Sequence, residues 1–288
     1  MAKPGRRRPA LAVKPDLPAA RIGVRPFLKW PGGKYRLVPR IRAALTPGKR
    51  LIEPFVGSGA VFLNTEYETY LLADSNPDLI ELYSQLRQEG PTFIDDCRQL
   101  FNPDHNHAKT YYTLREEFNG TGDRRRKSVL FVYLNRHCYN GLCRYNASGG
   151  FNTPFGRHAK PCFPETRMQT FADHGHNTEF IHADFLDTMR RARKGDVVYC
   201  DPPYQPLSRT ASFTAYAAGN FGWDEQAALA DAARKAAKRG AHVVISNHDT
   251  PEIRALYKGA SIESFPVWRS ISRDIHNRND VGELLAVF

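Results

Sequence analysis

Short apolar runs ending in polar or glycine-rich turns, separated by helical patterns, predict a parallel sheet wrapped by helices. Arg50 to Glu53 follows Pro47-Gly48 and opens into Pro54-Phe55-Val56-Gly57-Ser58-Gly59. This reads as a buried strand, a glycine turn, then a helix from about Gly59 to Tyr67. Tyr70-Leu71-Leu72-Ala73 is a second run ending at Asp74, so the segment predicts a parallel β-α-β unit. Asn76 to Arg87 predicts a helix capped by Asn76, with Pro77 at its first position. Lys127 to His137 also reads as helical. Asp196 to Cys200 is an apolar strand running into Asp201-Pro202-Pro203-Tyr204. Asp224 to Arg239 is an alanine-rich helix stopped by Gly240. His242 to Ser246 and Glu283 to Phe288 read as two further strands.

Between about Pro91 and Asp173 the character changes to Tyr, Phe, Asn, Arg and His. Within it, Cys138 to Lys160 is loop-like, rich in Gly and Asn and studded with basic and aromatic residues. That is the composition of a recognition surface. The expectation is an α/β core from 26–76 with 165–288, interrupted by an inserted lobe at 77–164. Residues 1–25, with Arg6-Arg7-Arg8, lack apolar periodicity and read as a disordered basic tail. No internal repeat is present.

Composition narrows the functions. The 288 residues carry 41 Lys+Arg against 30 Asp+Glu, a formal charge of +11. A polyanion is the favoured partner, because Lys and Arg gain affinity by releasing counterions from phosphates. No stretch approaches the roughly 18 consecutive apolar residues of a membrane helix. No apolar run follows the basic N-terminus either, which argues against a secretory signal. Five scattered cysteines (Cys97, Cys138, Cys143, Cys162, Cys200) form neither a disulfide framework nor C-x2-C pairs. They point to a reducing cytoplasm and away from zinc.

The chemistry concentrates in three motifs. Asp201-Pro202-Pro203-Tyr204 lies at the C-terminal end of a strand, where open parallel sheets bind ligands. An exocyclic amine on a nucleobase is a poor nucleophile because its lone pair is delocalised into the ring. If the Asp201 carboxylate and the Pro202 carbonyl each accept one amine hydrogen, a pyramidal nitrogen is favoured and its lone pair can face an electrophilic methyl. Tyr204 can stack on the base, worth ~1–3 kcal/mol. The second motif is Glu53-Pro-Phe-Val-Gly-Ser-Gly59, whose glycines admit a ligand close to the backbone, with Asp74 at the offset suited to ribose hydroxyls. The full dinucleotide fingerprint is missing, which disfavours nicotinamide cofactors. The third is Phe27-Leu-Lys-Trp-Pro-Gly-Gly-Lys34. Its glycines permit a tight bend, Trp30 offers a face to a cationic sulfonium, and Lys34 can meet a carboxylate.

In this order the three motifs resemble the Dam family of DNA adenine-N6 methyltransferases. The likeness runs from Phe27 to Phe288. It extends to Tyr139-Asn-Gly-Leu-Cys-Arg-Tyr-Asn146, Phe151-Asn-Thr-Pro-Phe-Gly-Arg157, Val198-Tyr-Cys-Asp-Pro-Pro-Tyr204 and Ile245-Ser-Asn-His-Asp-Thr250. The resemblance implies a Rossmann-like methyltransferase sheet with helices on both faces and a mainly helical recognition lobe carrying a hairpin. It implies S-adenosylmethionine as methyl donor and adenine in duplex GATC as acceptor, with no metal. Trp30, Lys34, Phe55, Gly57, Asp74, Asp184, Phe185 and Asp201 are expected at the donor. Asp201, Pro202 and Tyr204 are expected to act on the amine. Lys29 and Arg144 are expected at guanine, Leu142 and Pro154 at apolar base surfaces, and Arg115 and Asn140 on the DNA. Tyr139 is expected to fill the gap left by an extruded adenine. Bidentate Arg–guanine contacts are worth ~1–3 kcal/mol of discrimination, and methylating a stacked base requires flipping it out.

Two departures stand out. His158 occupies the position where close relatives carry Tyr after Phe-Gly-Arg157, so it is expected at the DNA as a substitute donor or a pH-sensitive contact. Ser272 to Asp280 is less basic than the corresponding loop, which weakens phosphate contacts there. Pro161-Cys162 resembles the nucleophile of cytosine-C5 methyltransferases, but it lies in the lobe, and amine methylation needs no thiolate. The expected state is a cytoplasmic, nucleoid-associated monomer on double-stranded DNA, without a membrane. Two alternatives stay open: amine methylation of cytosine N4 or an RNA base, and a non-catalytic DNA-binding protein.

Overall fold

The computed structural model describes residues 23–205, 221–267 and 281–288. Residues 1–22, which make up most of the expected tail, and the Ser272–Asp280 loop lie outside the described residues. The seven strands are β1 (Arg50–Glu53), β2 (Thr69–Asp74), β3 (Thr178–His182), β4 (Asp196–Cys200), β5 (His242–His248), β6 (Ser261–Val267) and β7 (Val281–Val287). They form one sheet in the order β3-β2-β1-β4-β5-β7-β6. β1 to β5 run parallel, and β7 runs antiparallel to both β5 and β6. The order reverses between β1 and β4, so the C-terminal ends of those two strands flank a crevice suited to ligands.

The described helices are α1 (Val38–Ala44), α2 (Pro77–Glu89), α3 (Pro91–Gln99), α4 (Ala108–Gly120), α5 (Arg124–His137), α6 (Glu165–Asp173), α7 (Phe185–Arg190), α8 (Trp223–Lys238) and α9 (Pro251–Leu256). Strand side chains alternate between faces, and the two apolar clusters divide accordingly. Leu51, Val197, Tyr199 and Val244 join one cluster, while Ile52, Val198, Val243 and Ile245 join the other with α7, α8 and α9. The first cluster continues from the sheet through α2 and α6 into the lobe helices α3, α4 and α5. α5 is its spine: Val129 to Leu134 are buried on every side, each large apolar side chain contributing about 1.5–3 kcal/mol.

Local signals explain most elements. Asn76 caps α2 by accepting from the Asp78 and Leu79 amides, with Pro77 at the first position. Gly240, at φ +91°, turns the chain after α8. One expectation is corrected: 59–67 is not a helix. It contains only a 3-10 turn at Phe62–Asn64. Gly57 and Gly59 both adopt positive φ (46° and 71°), and residues 59–63 are buried on all sides, so the segment is an apolar plug without the polar face of a surface helix. β1 and β2 are parallel as expected, but a loop joins them.

Candidate active site

Four chain segments meet where β1, β2, β4 and β5 end. After β1, the turn 54–59 folds back so that the Val56 amide donates to the Ala73 carbonyl. The Gly57 amide donates to Asp74 Oδ2 at 3.1 Å, and Asp74 Oδ1 accepts from the Asn76 amide. The Tyr83 hydroxyl donates to the Gly57 carbonyl at 2.5 Å. Gly57 has no room for a side chain: a Cβ there would lie 2.8 Å from Trp30 Nε1. Trp30 thus lies against the glycine turn, and the bend after it closes through the Gly33 amide and the Trp30 carbonyl, with Gly32 at φ +72°. Burial raises the pKa of the Asp74 carboxyl, while the amides of Asn76, Gly57 and Ser75 favour its charged form.

Asp201 follows β4 directly. Its Oδ1 lies 3.0 Å from Lys34 Nζ and accepts from Ser246 Oγ at 3.0 Å. The side chain is 21% exposed and that of Lys34 is 9%. Burial raises the pKa of the Asp201 carboxyl, and Lys34, Ser246 and Tyr204 oppose the shift. The ammonium of Lys34 also donates to the Gly32 carbonyl and sits 4.3 Å from the centre of the Tyr204 ring. Tyr204 meets the His248 ring at 4.5 Å and 67°, and its hydroxyl lies 3.5 Å from Glu283 Oε2. Lys34 thus meets the Asp201 carboxylate and occupies one face of the Tyr204 ring.

Phe55 stacks on Phe185 at 5.5 Å and 25°, and Phe221 meets both rings. Asp184 is exposed and caps α7 by accepting from the Leu186 amide. At the end of β1, Glu53 is a buried carboxyl whose Oε1 has no hydrogen-bond partner. Burial holds its pKa well above the usual carboxylate range, and the Asp201 charge adds to this.

Most of the residues expected at the DNA lie on the lobe, and Lys29 precedes Trp30 in the first motif. Tyr139 is 50% exposed on a 3-10 turn whose next residue, Asn140, is left-handed at φ 53°. Its amide donates to the Pro154 carbonyl. Bridges Cys138↔Phe155 and Tyr145↔Phe151 define the hairpin. Arg144 is exposed on it, bonded through Nε and Nη2 to Asn152. Pro154 is exposed and Leu142 half-buried. Lys29 joins the first motif to this turn, since its backbone pairs with the Asn135 amide group and a Cβ on Gly141 would strike its side chain. Arg115 packs over the Tyr112 ring at 4.8 Å, with Nη1 3.4 Å from the Thr153 carbonyl. His158 is half-buried and turned inward, its Nε2 3.1 Å from the carbonyl of Cys138, the residue before Tyr139. Cys162 is exposed on the lobe as a free thiol, and all five cysteines are free.

Sequence reasoning passed over Ser246, Asn247, Gln226, His248 and Phe221. Ser246 to His248 fall in a string that resembles the family, but no local signal gives them a task. Gln226 reads as a polar position on an alanine-rich helix, yet it is fully buried. Phe221 carries no pattern at all.

Residues 30–271 match the family profile of the D12 class N6 adenine-specific DNA methyltransferases. The chain is 51% identical over 265 residues to a DNA adenine methylase of Vibrio cholerae, covering 92% of this chain and 96% of the relative. Likeness to the DNA adenine methylase of Serratia marcescens is 50% over 265 residues, 92% and 98% of the two chains. For that of Escherichia coli it is 49% over 264 residues, 92% and 95%. A solved structure of precorrin 8W decarboxylase from Methanobacterium thermoautotrophicum aligns at a TM-score of 0.37 and 11% identity, over 90% of this chain and 93% of that one, too weakly to bear on the reading. With half of its residues shared with DNA adenine methylases along nearly their whole length, the chain belongs to the Dam-type, D12 class family of N6 adenine-specific DNA methyltransferases.

Proposed function

We propose that the protein transfers a methyl group from S-adenosylmethionine to adenine N6 in double-stranded DNA, at GATC, with the adenine flipped out of the helix. The observation that carries this reading is the Asp201 carboxylate at the sheet edge, held on Oδ1 by Lys34 and Ser246 beside a glycine turn lined by Trp30.

The residues present fit the donor. The turn at Gly57 admits no side chain, Trp30 suits a sulfonium, and Phe55, Phe185 and Phe221 form an aromatic wall. Asp74 suits ribose hydroxyls, with Asp184 beside the wall, and Lys34 suits a carboxylate. When bound, S-adenosylmethionine supplies an electrophilic methyl carbon on sulfur. Asp201 accepts one N6 hydrogen and the Pro202 carbonyl the other, which localises the nitrogen lone pair. As the N–C bond forms and the S–C bond breaks, one N6 proton leaves by way of Asp201 toward solvent. Tyr204 stacks on the flipped base.

Residues 77–164 act as the target-recognition unit on the catalytic domain of 26–76 and 165–288. Tyr139 enters the gap in the stack with Asn140 beside it. Arg144 and Lys29 read guanine, Leu142 and Pro154 make apolar base contacts, and Arg115 supports the DNA side. His158 acts through the turn that presents Tyr139. The charge of +11 supports a polyanion partner. The protein works as a monomer on the nucleoid in the cytoplasm; among the described residues no helix is long and apolar enough to cross a membrane.

The test is tritium transfer from labelled donor into GATC duplexes. The wild type incorporates label, and Asp201→Ala abolishes turnover while DNA binding largely survives, because Asp201 acts on the transition state. Equal incorporation by both proteins would overturn the reading.

A further inference from the structure

The Asp201–Tyr204 loop has an unusual support problem. Pro202 and Pro203 have no N–H to donate, so the sheet ladder has little hold on the segment beyond Cys200. Side chains must do the work instead. The parallel register pairs Cys200 with Ile245, which brings the end of β5 alongside the tetrapeptide.

We infer that Ser246, Asn247 and His248, three consecutive residues of β5, are positioning residues that hold Asp201, Pro203 and Tyr204 respectively. Alternation sends Ser246 and His248 to the face shared by Tyr199 and Asp201, and Asn247 to the face covered by α8. Ser246 Oγ lies 3.0 Å from Asp201 Oδ1 and 3.1 Å from the Tyr199 hydroxyl. A hydroxyl has one proton, so Tyr199 donates to Ser246 and Ser246 to the carboxylate. Lys34 meets the same Oδ1, so both bonds orient the carboxylate through one oxygen. Asn247 Nδ2 donates to Gln226 Oε1 at 3.0 Å and to the Tyr257 hydroxyl at 2.9 Å, and its Oδ1 accepts from the His248 amide. Gln226 Nε2 in turn donates to the Pro203 carbonyl at 2.9 Å. Ser246, Asn247 and Gln226 are all fully buried, so each bond is shielded from competing water. His248 presses on the Tyr204 ring, and Glu283, its register partner on β7, lies by the Tyr204 hydroxyl. The strand end therefore takes over from the missing backbone ladder.

This rests on the catalytic reading of Asp201, and the experiment separates the two. Wild type, Asp201→Ala, Ser246→Ala and Gln226→Met, the last keeping volume but losing the bond to Pro203, are compared in single turnover on a duplex with one GATC site. Binding of S-adenosylhomocysteine and of the duplex is titrated in parallel, and melting is followed by circular dichroism. Ser246→Ala and Gln226→Met should each slow methyl transfer at least about 10-fold, with both binding constants within about 2-fold of wild type. Folded variants with wild-type transfer rates, or with losses confined to binding, would overturn the inference. If Ser246→Ala melts below the assay temperature, Ser246→Cys, a weaker donor of similar size, is read against the same two outcomes. Inactive Asp201→Ala beside normal Ser246→Ala and Gln226→Met defeats this inference alone. Active Asp201→Ala defeats the catalytic reading beneath it.

Discussion

Replacing Lys34 by Met should make the enzyme acid-sensitive. At 3.0 Å and an effective dielectric near 20, Lys34 and Asp201 attract by about 5–6 kcal/mol, part of which offsets the desolvation of both ions. A neighbouring cation commonly lowers a carboxyl pKa by about 1–3 units, or roughly 1.4–4 kcal/mol. Burial pulls Asp201 the other way and Lys34 opposes it. Removing the ammonium leaves burial to favour the protonated form. In the proposed mechanism catalysis needs the carboxylate, so activity is lost as pH falls through the Asp201 pKa. The acid limb of kcat against pH should move upward by about 1–3 units in Lys34→Met. The assay is tritium transfer into a GATC duplex from pH 5.5 to 9.5, at saturating DNA and donor, because Lys34 is also proposed to bind the donor. A uniform fall of kcat at every pH, with the acid limb unmoved, would refute the electrostatic argument and confine Lys34 to donor binding.

Other outcomes follow from the same geometry. Arg144→Ala should relax discrimination at its guanine by about 1–3 kcal/mol while costing less in general DNA affinity, measured by competition between GATC and single-substituted duplexes; equal loss on all sequences would make Arg144 a phosphate contact. Glu53 has a raised pKa in the fold, so the stability of its neutral form is present in acid and is lost as pH rises above the unfolded value, by about 1.4 kcal/mol per unit until the folded carboxyl ionises. Glu53→Gln should therefore gain in Tm over wild type as pH increases from 5 to 9, and a constant difference would contradict this. The buried His137 ring, stacked 4.0 Å from Tyr133, has its pKa lowered to about 4 by burial. Wild type should lose stability between pH 6.5 and 4, as the unfolded imidazole gains a proton first, and His137→Gln should lose less in denaturant titrations across that window.

The sheet was legible where strands are buried on both faces. β1, β2, β4 and β5 announce themselves as apolar runs, and the turns after them by Gly57, Asp74 and the prolines. β3 escaped notice because it is an edge strand with the half-exposed sequence Thr-Glu-Phe-Ile-His, which carries neither a continuous apolar run nor a clean alternation. The segment 59–67 was misread because its apolar residues suited a helix, while the positive φ of Gly57 and Gly59 is a tertiary demand invisible in a local pattern. Around the site, the residues that meet at the strand ends were legible as motifs, since their chemistry is unusual there. The supporting layer was not. Ser246, Asn247 and Gln226 are ordinary polar residues, and only burial and a shared hydrogen-bond chain give them meaning. His158 likewise belongs to a string expected at the DNA, yet its ring points to the Cys138 carbonyl.

The most direct measurement is the structure of the protein with S-adenosylhomocysteine and a GATC duplex. The account predicts an extruded adenine with N6 within hydrogen-bond distance of both the Asp201 carboxylate and the Pro202 carbonyl, and Tyr139 in the vacated stack. An adenine bound productively beside the donor, with its amine turned away from Asp201, would contradict it.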